Sequence, residues 1–290
     1  MADPCPTCYL NGDYLPLAEA RVSPLDRGFL FADGVYEVVP VHRGRAFRLR
    51  EHLRRLDDSL GAIRMANPLD PAGWSAVIDR LVHEAAATEL LVYMQVTRGA
   101  ERGRNHLVPR GLPPTTFAFA SPYPAPSPTT LEQGLSAVLL EDIRWDRCDI
   151  KSIALLGNVL LRQRAADRGA DEALLVRNGI LMEGSSSTVF LCIGGTLMTP
   201  PNGHHILPGT SRDALLKLAE GWLPHQVAEL EARDIASCEE LWIASAGRGV
   251  LPVTSVDGQP VGDGRPGPLW HGMYDRLQRH LDTLAGTPPL

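Results

Sequence analysis

Lysine is almost absent from this chain: two residues, against 26 arginines, in a sequence of 290. Arginine serves wherever a surface needs positive charge, so a lysine kept against that usage is a candidate for chemistry arginine cannot perform. Arginine stays protonated at any working pH, whereas lysine can lose its proton and attack a carbonyl. Lys217 lies in SRDALLKLAEG, which reads as an ordinary amphipathic helix. Lys151 lies in RCDIKSIALLGN, between a strand and an apolar helix, and is the one to watch. The plain alternative is that both merely survived a codon bias.

Other scarcities exclude whole classes. There is no excess of basic charge, the net being −6, so no nucleic-acid face is expected. The N-terminus lacks the basic-then-apolar pattern of a signal peptide, and no apolar run is long enough to cross a bilayer. A soluble, cytoplasmic protein with no membrane partner is the expectation. Cysteine is sparse and odd in number, at 5, 8, 148, 192 and 238, which argues against a disulfide framework. Cys5 and Cys8 form a CxxC, but no second pair completes a tetrahedral site, so no metal is expected and the two are assigned to a frayed tail.

What is present reads as two halves of mixed strands and helices. SPYPAPSPTT, residues 121–130, carries four prolines in ten residues. It predicts an extended interdomain linker in which helix is forbidden. The expected domains are a smaller α/β domain over 1–120 and a larger one, holding any cofactor, over 131–290. In the first, YLNGDYLPL predicts a hairpin at its NG turn, and GVYEVVPVHRGRAFRL a second one turning at His42–Arg45. EHLRRLDDSLGAIRM places Leu53, Leu56, Leu60 and Ile63 on one helical face. PAGWSAVIDRLVHEAA reads as another helix, and LLVYMQVTRG and TTFAFA as strands. In the second half, SIALLGNVLLRQRAADRGA predicts a long helix. EALLVRNGILMEGSSSTVFLCIGGTLMT predicts three strands with turns at Asn178–Gly179 and Gly194–Gly195. Regular βαβ alternation is missing, which favours α+β or irregular α/β over a doubly wound sheet.

Five clusters could carry chemistry, and each has a plain alternative. DRGFLFADGVYEVV mixes glycines, aromatics and acids ahead of a strand, as a tight turn also would. VTRGAERGRNH ends a strand in arginines and a histidine, which suits an anion but also a solvated loop. In MEGSSSTVF, Glu183 sits at the edge of an apolar hairpin, where a carboxylate is costly unless it has a partner such as a protonated ring nitrogen, or unless it faces water. ILPGTSRDALL is a Gly-Thr-Ser turn opening into a helix, a natural phosphate cradle or a simple N-cap. IASAGRG is a second small-residue turn after a buried strand. A nucleophilic lysine, a carboxylate for a pyridinium and two phosphate-sized turns together make the parts of a pyridoxal-phosphate enzyme.

With those motifs in view, the chain resembles the fold-type IV pyridoxal-phosphate enzymes, and among them the D-amino-acid aminotransferases. The motifs DRGFLFADGVYE, EHLRRL, VTRG with RNH, EDIRWDRCDIKS, EGSSSTVF and ILPGTSR carry the likeness almost end to end. The resemblance implies a two-domain architecture and pyridoxal 5'-phosphate as cofactor. It implies that Lys151 is the Schiff-base lysine and proton shuttle, and that Glu183 keeps the pyridine nitrogen protonated. Arg55, rather than Arg54, corresponds to the phosphate-binding arginine. Thr210 and Ser211 correspond to the phosphate cup, joined by Ala246 and Gly247 of the second turn, and Leu207 to a residue against the ring. Tyr36, Arg104 and His106 resemble the substrate-carboxylate trap, whose Arg-x-His loop comes from a partner subunit, so a homodimer is implied.

The substrates implied are a D-amino acid such as D-alanine and a 2-oxo acid such as 2-oxoglutarate or pyruvate. A branched-chain L-amino-acid aminotransferase, an aminodeoxychorismate lyase and a non-catalytic phosphate-ligand binder remain as alternatives. One departure stands out. The run Ser245-Ala246-Gly247-Arg248 lacks hydroxyls expected there, and Arg248 is left to compensate by charge or to reshape the substrate side.

Overall fold

The computed structural model describes residues 5–285, and the chain clusters into two compact units. The first comprises the chain up to Pro124 together with Ile150–Ala154; the second comprises Ala125–Asp149 and Leu155–Thr283.

In the first unit β1 (Thr7–Leu10) and β2 (Asp13–Pro16) form the hairpin expected from the NG turn. Asn11 and Gly12 take φ of 52° and 104°, the left-handed values such a two-residue loop requires. A short helix α1 (Arg27–Phe31) leads into β3 (Gly34–His42), which turns back into β4 (Arg45–Ala46). Helices α2 (Leu49–Ala62) and α3 (Pro71–Glu84) follow, then β5 (Leu90–Thr97) and β6 (Thr115–Pro122). Among the described residues the strands make one six-stranded sheet in the order β2-β1-β6-β5-β3-β4.

Leu53, Leu56 and Leu60 of α2 and Trp74, Ile78 and Leu81 of α3 pack on Val35, Val39, Val92, Met94 and Val96. Each such aliphatic side chain, fully buried, contributes about 1.5–3 kcal/mol. Strand alternation then turns Tyr36 and Tyr93 to the other face, where they stack at 5.7 Å. Cys8 lies in β1, fully buried, and Cys5 is buried beside it, so the frayed tail expected for this pair is instead part of the sheet. The reason is long-range: β1 pairs with β6, more than a hundred residues away.

The second unit opens with α4 (Pro128–Gln133), which corrects the expectation of a helix-free linker through residue 130. Pro128 occupies the first helical turn, where a missing N–H costs nothing, and Ser127 caps it by accepting from the Thr130 N–H. Then come β7 (Leu135–Glu141), α5 (Leu156–Asp167), β8 (Glu172–Arg177), β9 (Ile180–Gly184), β10 (Thr188–Ile193) and β11 (Thr196–Thr199). They are followed by α6 (Thr210–Ala219), β12 (His225–Val227), β13 (Glu240–Ser245), β14 (Gly249–Val256), β15 (Gln259–Pro260) and α7 (Pro268–Ala285).

The sheet runs β12-β11-β10-β13-β14-β7-β8-β9, with β15 paired to β14. Four strands, not three, span residues 172–199, because the Ser185–Ser187 turn divides β9 from β10. At Gly184 a Cβ would collide with the Ser187 hydroxyl, so the missing side chain is what lets the turn close this tightly. Helix α5 begins at Leu156, later than its apolar pattern predicts. It buries Leu161 and Ala165 and leaves Leu156 and Val159 exposed. The strand order mixes parallel and antiparallel neighbours, in keeping with the irregular α/β expectation.

Candidate active site

Lys151 owes its position to a backbone pairing that is invisible in local sequence. Ile150–Ala154 lies along the first half of β3: the Tyr36 N–H donates to the Lys151 carbonyl at 3.0 Å, and the Ile153 N–H to Gly34 at 3.1 Å. The Lys151 N–H donates in turn to the Ser59 hydroxyl of α2 at 3.2 Å. With its main chain fixed on both sides, the side chain projects over Tyr36, with Nζ 4.1 Å from the ring centroid. That is within reach of the ring's negative face, which restrains the amine.

On the opposite face of β3, next in sequence to Tyr36, Glu37 is fully buried. Arg55 donates to it twice, from Nε at 2.6 Å and from Nη2 at 2.9 Å, and His52 Nδ1 lies 2.8 Å from it. Burial alone would raise the Glu37 carboxyl; Arg55 and His52 outweigh it and hold it well below the usual carboxylate range. The same burial keeps His52 below its ordinary value despite Glu37. Arg55 is therefore positioned as a rigid, buried cation rather than a mobile surface one.

Arg104 and His106 lie on the exposed Gly103–Leu107 loop. Their ring contacts are with Phe31: the Arg104 guanidinium is 4.8 Å from its centroid and the His106 ring 5.2 Å. Buried Arg27 ties this loop down, donating to the Glu101 carboxylate and to the Asn105 carbonyl at 2.6 Å. Within this unit, then, Tyr36, Lys151 and Arg55 gather about the start of β3, while Arg104 and His106 pack beside α1.

In the second unit Glu183 is the penultimate residue of β9 and is almost fully buried. Its Oε1 accepts from Arg144 Nη1, and Arg144 is itself held by Asp142 through Nε at 2.9 Å and Nη2 at 3.0 Å. The Leu207 N–H reaches both Glu183 oxygens at 3.3 Å. Burial pushes the Glu183 carboxyl up, with Arg144 pulling the other way. Among the described residues, Oε2 carries only that long, shared bond from Leu207 and retains capacity to accept from a ring N–H. The expected contact of Leu207 with a ring is thus joined by a second role, played by its main chain. Arg144 has a sequence signal only in the EDIRWDR motif, where nothing local says that its guanidinium reaches Glu183.

Thr210 and Ser211 form the first turn of α6, with Gly209 at the N-cap and no side-chain cap bond. A Cβ at Gly209 would stand 2.6 Å from the Thr188 hydroxyl, so the turn lies directly against the start of β10. Thr188 is the pairing partner of Ala244, and β13 ends one residue later at the Ser245–Gly249 turn that holds Ala246 and Gly247. Two small-residue turns thus lie at the same end of one sheet. Arg212, in that first helical turn, is 4% exposed, and its Nε has no hydrogen-bond partner among the described residues. A helix N-terminus with main-chain donors and a buried, incompletely paired cation favours an anion. The donor set suits the phosphate of pyridoxal phosphate, and the Glu183 oxygen suits its ring nitrogen. No group of His, Cys, Asp and Glu able to hold a metal occurs among the described residues.

Comparison with known proteins agrees with this chemistry. The model of the family described as amino-transferase class IV matches residues 34–256. A D-alanine aminotransferase of Bacillus licheniformis is 36% identical over 272 residues, 93% of this chain and 95% of the relative. One from Staphylococcus aureus (strain MSSA476) is 34% identical over 277 residues, 95% of this chain and 98% of the relative. Among solved structures, the T.th. branched-chain amino acid aminotransferase with pyridoxamine 5'-phosphate matches at a TM-score of 0.90 and 22% identity, covering 100% of this chain and 97% of that one. The branched-chain enzyme of Escherichia coli matches at 0.84 and 24%, covering 95% and 92%. At those identities the two structures speak for the fold alone, which is the fold-type IV architecture.

Proposed function

The chain belongs to the amino-transferase class IV family, and from that premise we propose that it transfers the amino group of a D-amino acid such as D-alanine to a 2-oxo acid such as 2-oxoglutarate or pyruvate, using pyridoxal 5'-phosphate. The observation that carries the chemistry is the placement of Lys151 Nζ over the Tyr36 ring, on a segment pinned to β3 and to α2. The D-amino-acid class is supported by the curated relatives, 33–36% identical over nearly the whole chain, that are D-alanine aminotransferases.

Bound pyridoxal phosphate supplies an electrophilic aldehyde carbon and a ring that takes up the electron pair left at the amino acid's Cα. The protein's own groups do the rest. The Lys151 amine would hold the cofactor at that carbon and, once freed by the incoming amino acid, would take the proton from the amino acid's Cα and deliver it to that same cofactor carbon. Glu183, oriented by Arg144 and by the Leu207 N–H, accepts from the ring N–H and keeps it protonated. Thr210, Ser211 and the main chain of Ala246 and Gly247 donate to the phosphate, and Arg55 supplies charge to it. Leu207 covers the ring.

Arg104, His106 and Tyr36 hold the substrate carboxylate and so select the hand of the amino acid. Arg104 and His106 are contributed by a second copy in a homodimer. That arrangement is supported by two exposed apolar side chains, Leu107 at the end of their loop and Phe29 in α1, each more than three-quarters exposed. Sedimentation velocity at micromolar concentration is expected to show a dimer; a monomer would remove this part of the reading. We place the protein in the cytoplasm, a reading supported by five unpaired cysteines, all buried.

The test is spectroscopic. Protein loaded with pyridoxal phosphate is expected to show a visible cofactor band that D-alanine bleaches and L-leucine does not. Bleaching by L-leucine alone would overturn the D-amino-acid assignment, and a band unchanged by either would point to lyase chemistry. No band after added cofactor would overturn the cofactor reading itself.

A further inference from the structure

We propose that Arg248 is a ligand of the cofactor phosphate, its guanidinium taking the place of side-chain donors that the Ser245–Gly249 turn lacks at Ala246 and Gly247. The proposal rests on the reading that the chain binds pyridoxal phosphate.

The turn stands where a phosphate is to be held. It follows Ala244, which pairs with Thr188, and Thr188 meets Gly209 at the N-terminus of α6. Ala246 and Gly247 can offer only main-chain N–H groups. Arg248 is the one residue of the turn with positive charge, and it carries five donors in a planar fork.

The guanidinium is steered by a buried carboxylate. Glu172, at the start of β8, has no exposed surface and accepts from the Ser185 hydroxyl, from the Ser185 N–H at 3.2 Å and from the Ser187 hydroxyl at 3.3 Å. Arg248 Nη1 lies 3.4 Å from the same Oε2 that accepts from Ser187. That is the only hydrogen bond the Arg248 side chain makes among the described residues, and the side chain is 36% exposed, so most of the fork remains available.

The charge balance makes the same point. Glu172 sets a buried carboxylate behind the Ser185–Ser187 turn, at the sheet end where α6 presents its N-terminus. A phosphate dianion would be repelled by it. Arg248 is the cation that offsets Glu172, and its remaining donors can pair with phosphate oxygens through charge-assisted bonds. A hydroxyl in its place would give a hydrogen bond without cancelling the buried charge.

The experiment is a pair of titrations of the apoprotein, with pyridoxal phosphate and with pyridoxal, following the visible cofactor band and not turnover. The proteins compared are the parent, R248A, R248K and R248Q. R248A is expected to weaken pyridoxal phosphate by about ten-fold. Pyridoxal, which has no phosphate, should bind R248A as it binds the parent, and R248K should fall between. R248Q keeps a donor for Glu172 and must show the same phosphate-selective loss, even if R248A is poorly folded. Equal weakening of both ligands, or of neither, overturns the assignment of Arg248. A parent that forms no band overturns the cofactor reading, and this assignment with it, whereas a parent that binds beside an unchanged R248A removes Arg248 alone.

Discussion

Glu37→Gln is the perturbation that best tests how the first unit holds its functional face. Glu37 has no exposed surface and receives two bonds from Arg55 and one contact from His52. The amide preserves the side-chain volume but removes the charge, and it turns an NH2 group towards donors. Breaking a buried ion pair from one side costs about 3–5 kcal/mol; the oxygen that remains keeps one bond, which puts this case near the lower end. About 3 kcal/mol corresponds to roughly a hundred-fold faster amide exchange where opening precedes exchange. Peptides covering β3 and α2, which carry Glu37, His52 and Arg55, should show it, and peptides of the second unit should not.

The pH dependence has a definite sign. The Glu37 carboxyl is held well below the usual range by Arg55 and His52, against its burial. Its stabilising contribution is therefore fully present above the ordinary carboxylate value of about 4.3, and is lost only as pH falls towards the lower folded value. The gap between parent and Glu37→Gln should be constant from neutrality to about pH 5 and close in stronger acid. Parent-like exchange in β3 and α2, or a gap already closed at about pH 5, would refute the argument that this pair holds the strand to the helix.

Gly209→Ala leaves the backbone unstrained, since φ is −75°, but drives a Cβ to 2.6 Å from the Thr188 hydroxyl. It is expected to cost about 1–3 kcal/mol by overpacking and to lower phosphate-dependent cofactor affinity several-fold; a variant that melts and binds like the parent would show that α6 does not need this close approach. The thiols should be inert in the native state. Burial pushes Cys148 up to about 11 and Cys238 up to about 12, with Cys192 raised further, and all five are buried. Ellman's reagent at mildly alkaline pH should find essentially no reactive thiol until denaturant is added, and rapid labelling of two or more would contradict the burial of these thiols.

Where local rules conflict, the structure shows which one prevails. The proline run from 121 argues against helix throughout, yet Pro128 opens α4, because proline is tolerated in a first turn once Ser127 caps it. Apolar alternation continues through Met182 and into Thr188, which predicts three strands over residues 172–199; the turn at Gly184 interrupts it. The pattern of α5 extends too far towards the N-terminus because Ser152–Leu155 is apolar enough to continue it, whereas Ser152 pairs with Val35 instead. In each case the difference sits at the edge of an element, and twice it adjoins a residue the site uses, Glu183 and Lys151.

The amino-acid sequence by itself marked Lys151, through the scarcity of its residue type, and Glu183, as a carboxylate stranded in an apolar hairpin. It also disclosed the α6 turn, the hairpin at Asn11–Gly12 and the apolar stripe of α2. These are legible because they are local: turn chemistry and helical spacing are written in neighbouring residues. Only the tertiary structure decided that Lys151 lies along β3 over Tyr36, that Arg55 is clamped by Glu37, that Arg144 and the Leu207 N–H orient Glu183, and that Arg248 leans on Glu172. Each of those pairings joins residues at least 18 positions apart. Neither composition nor periodicity encodes such a contact, since it depends on which strand edge or buried charge the folded chain leaves open for a distant partner.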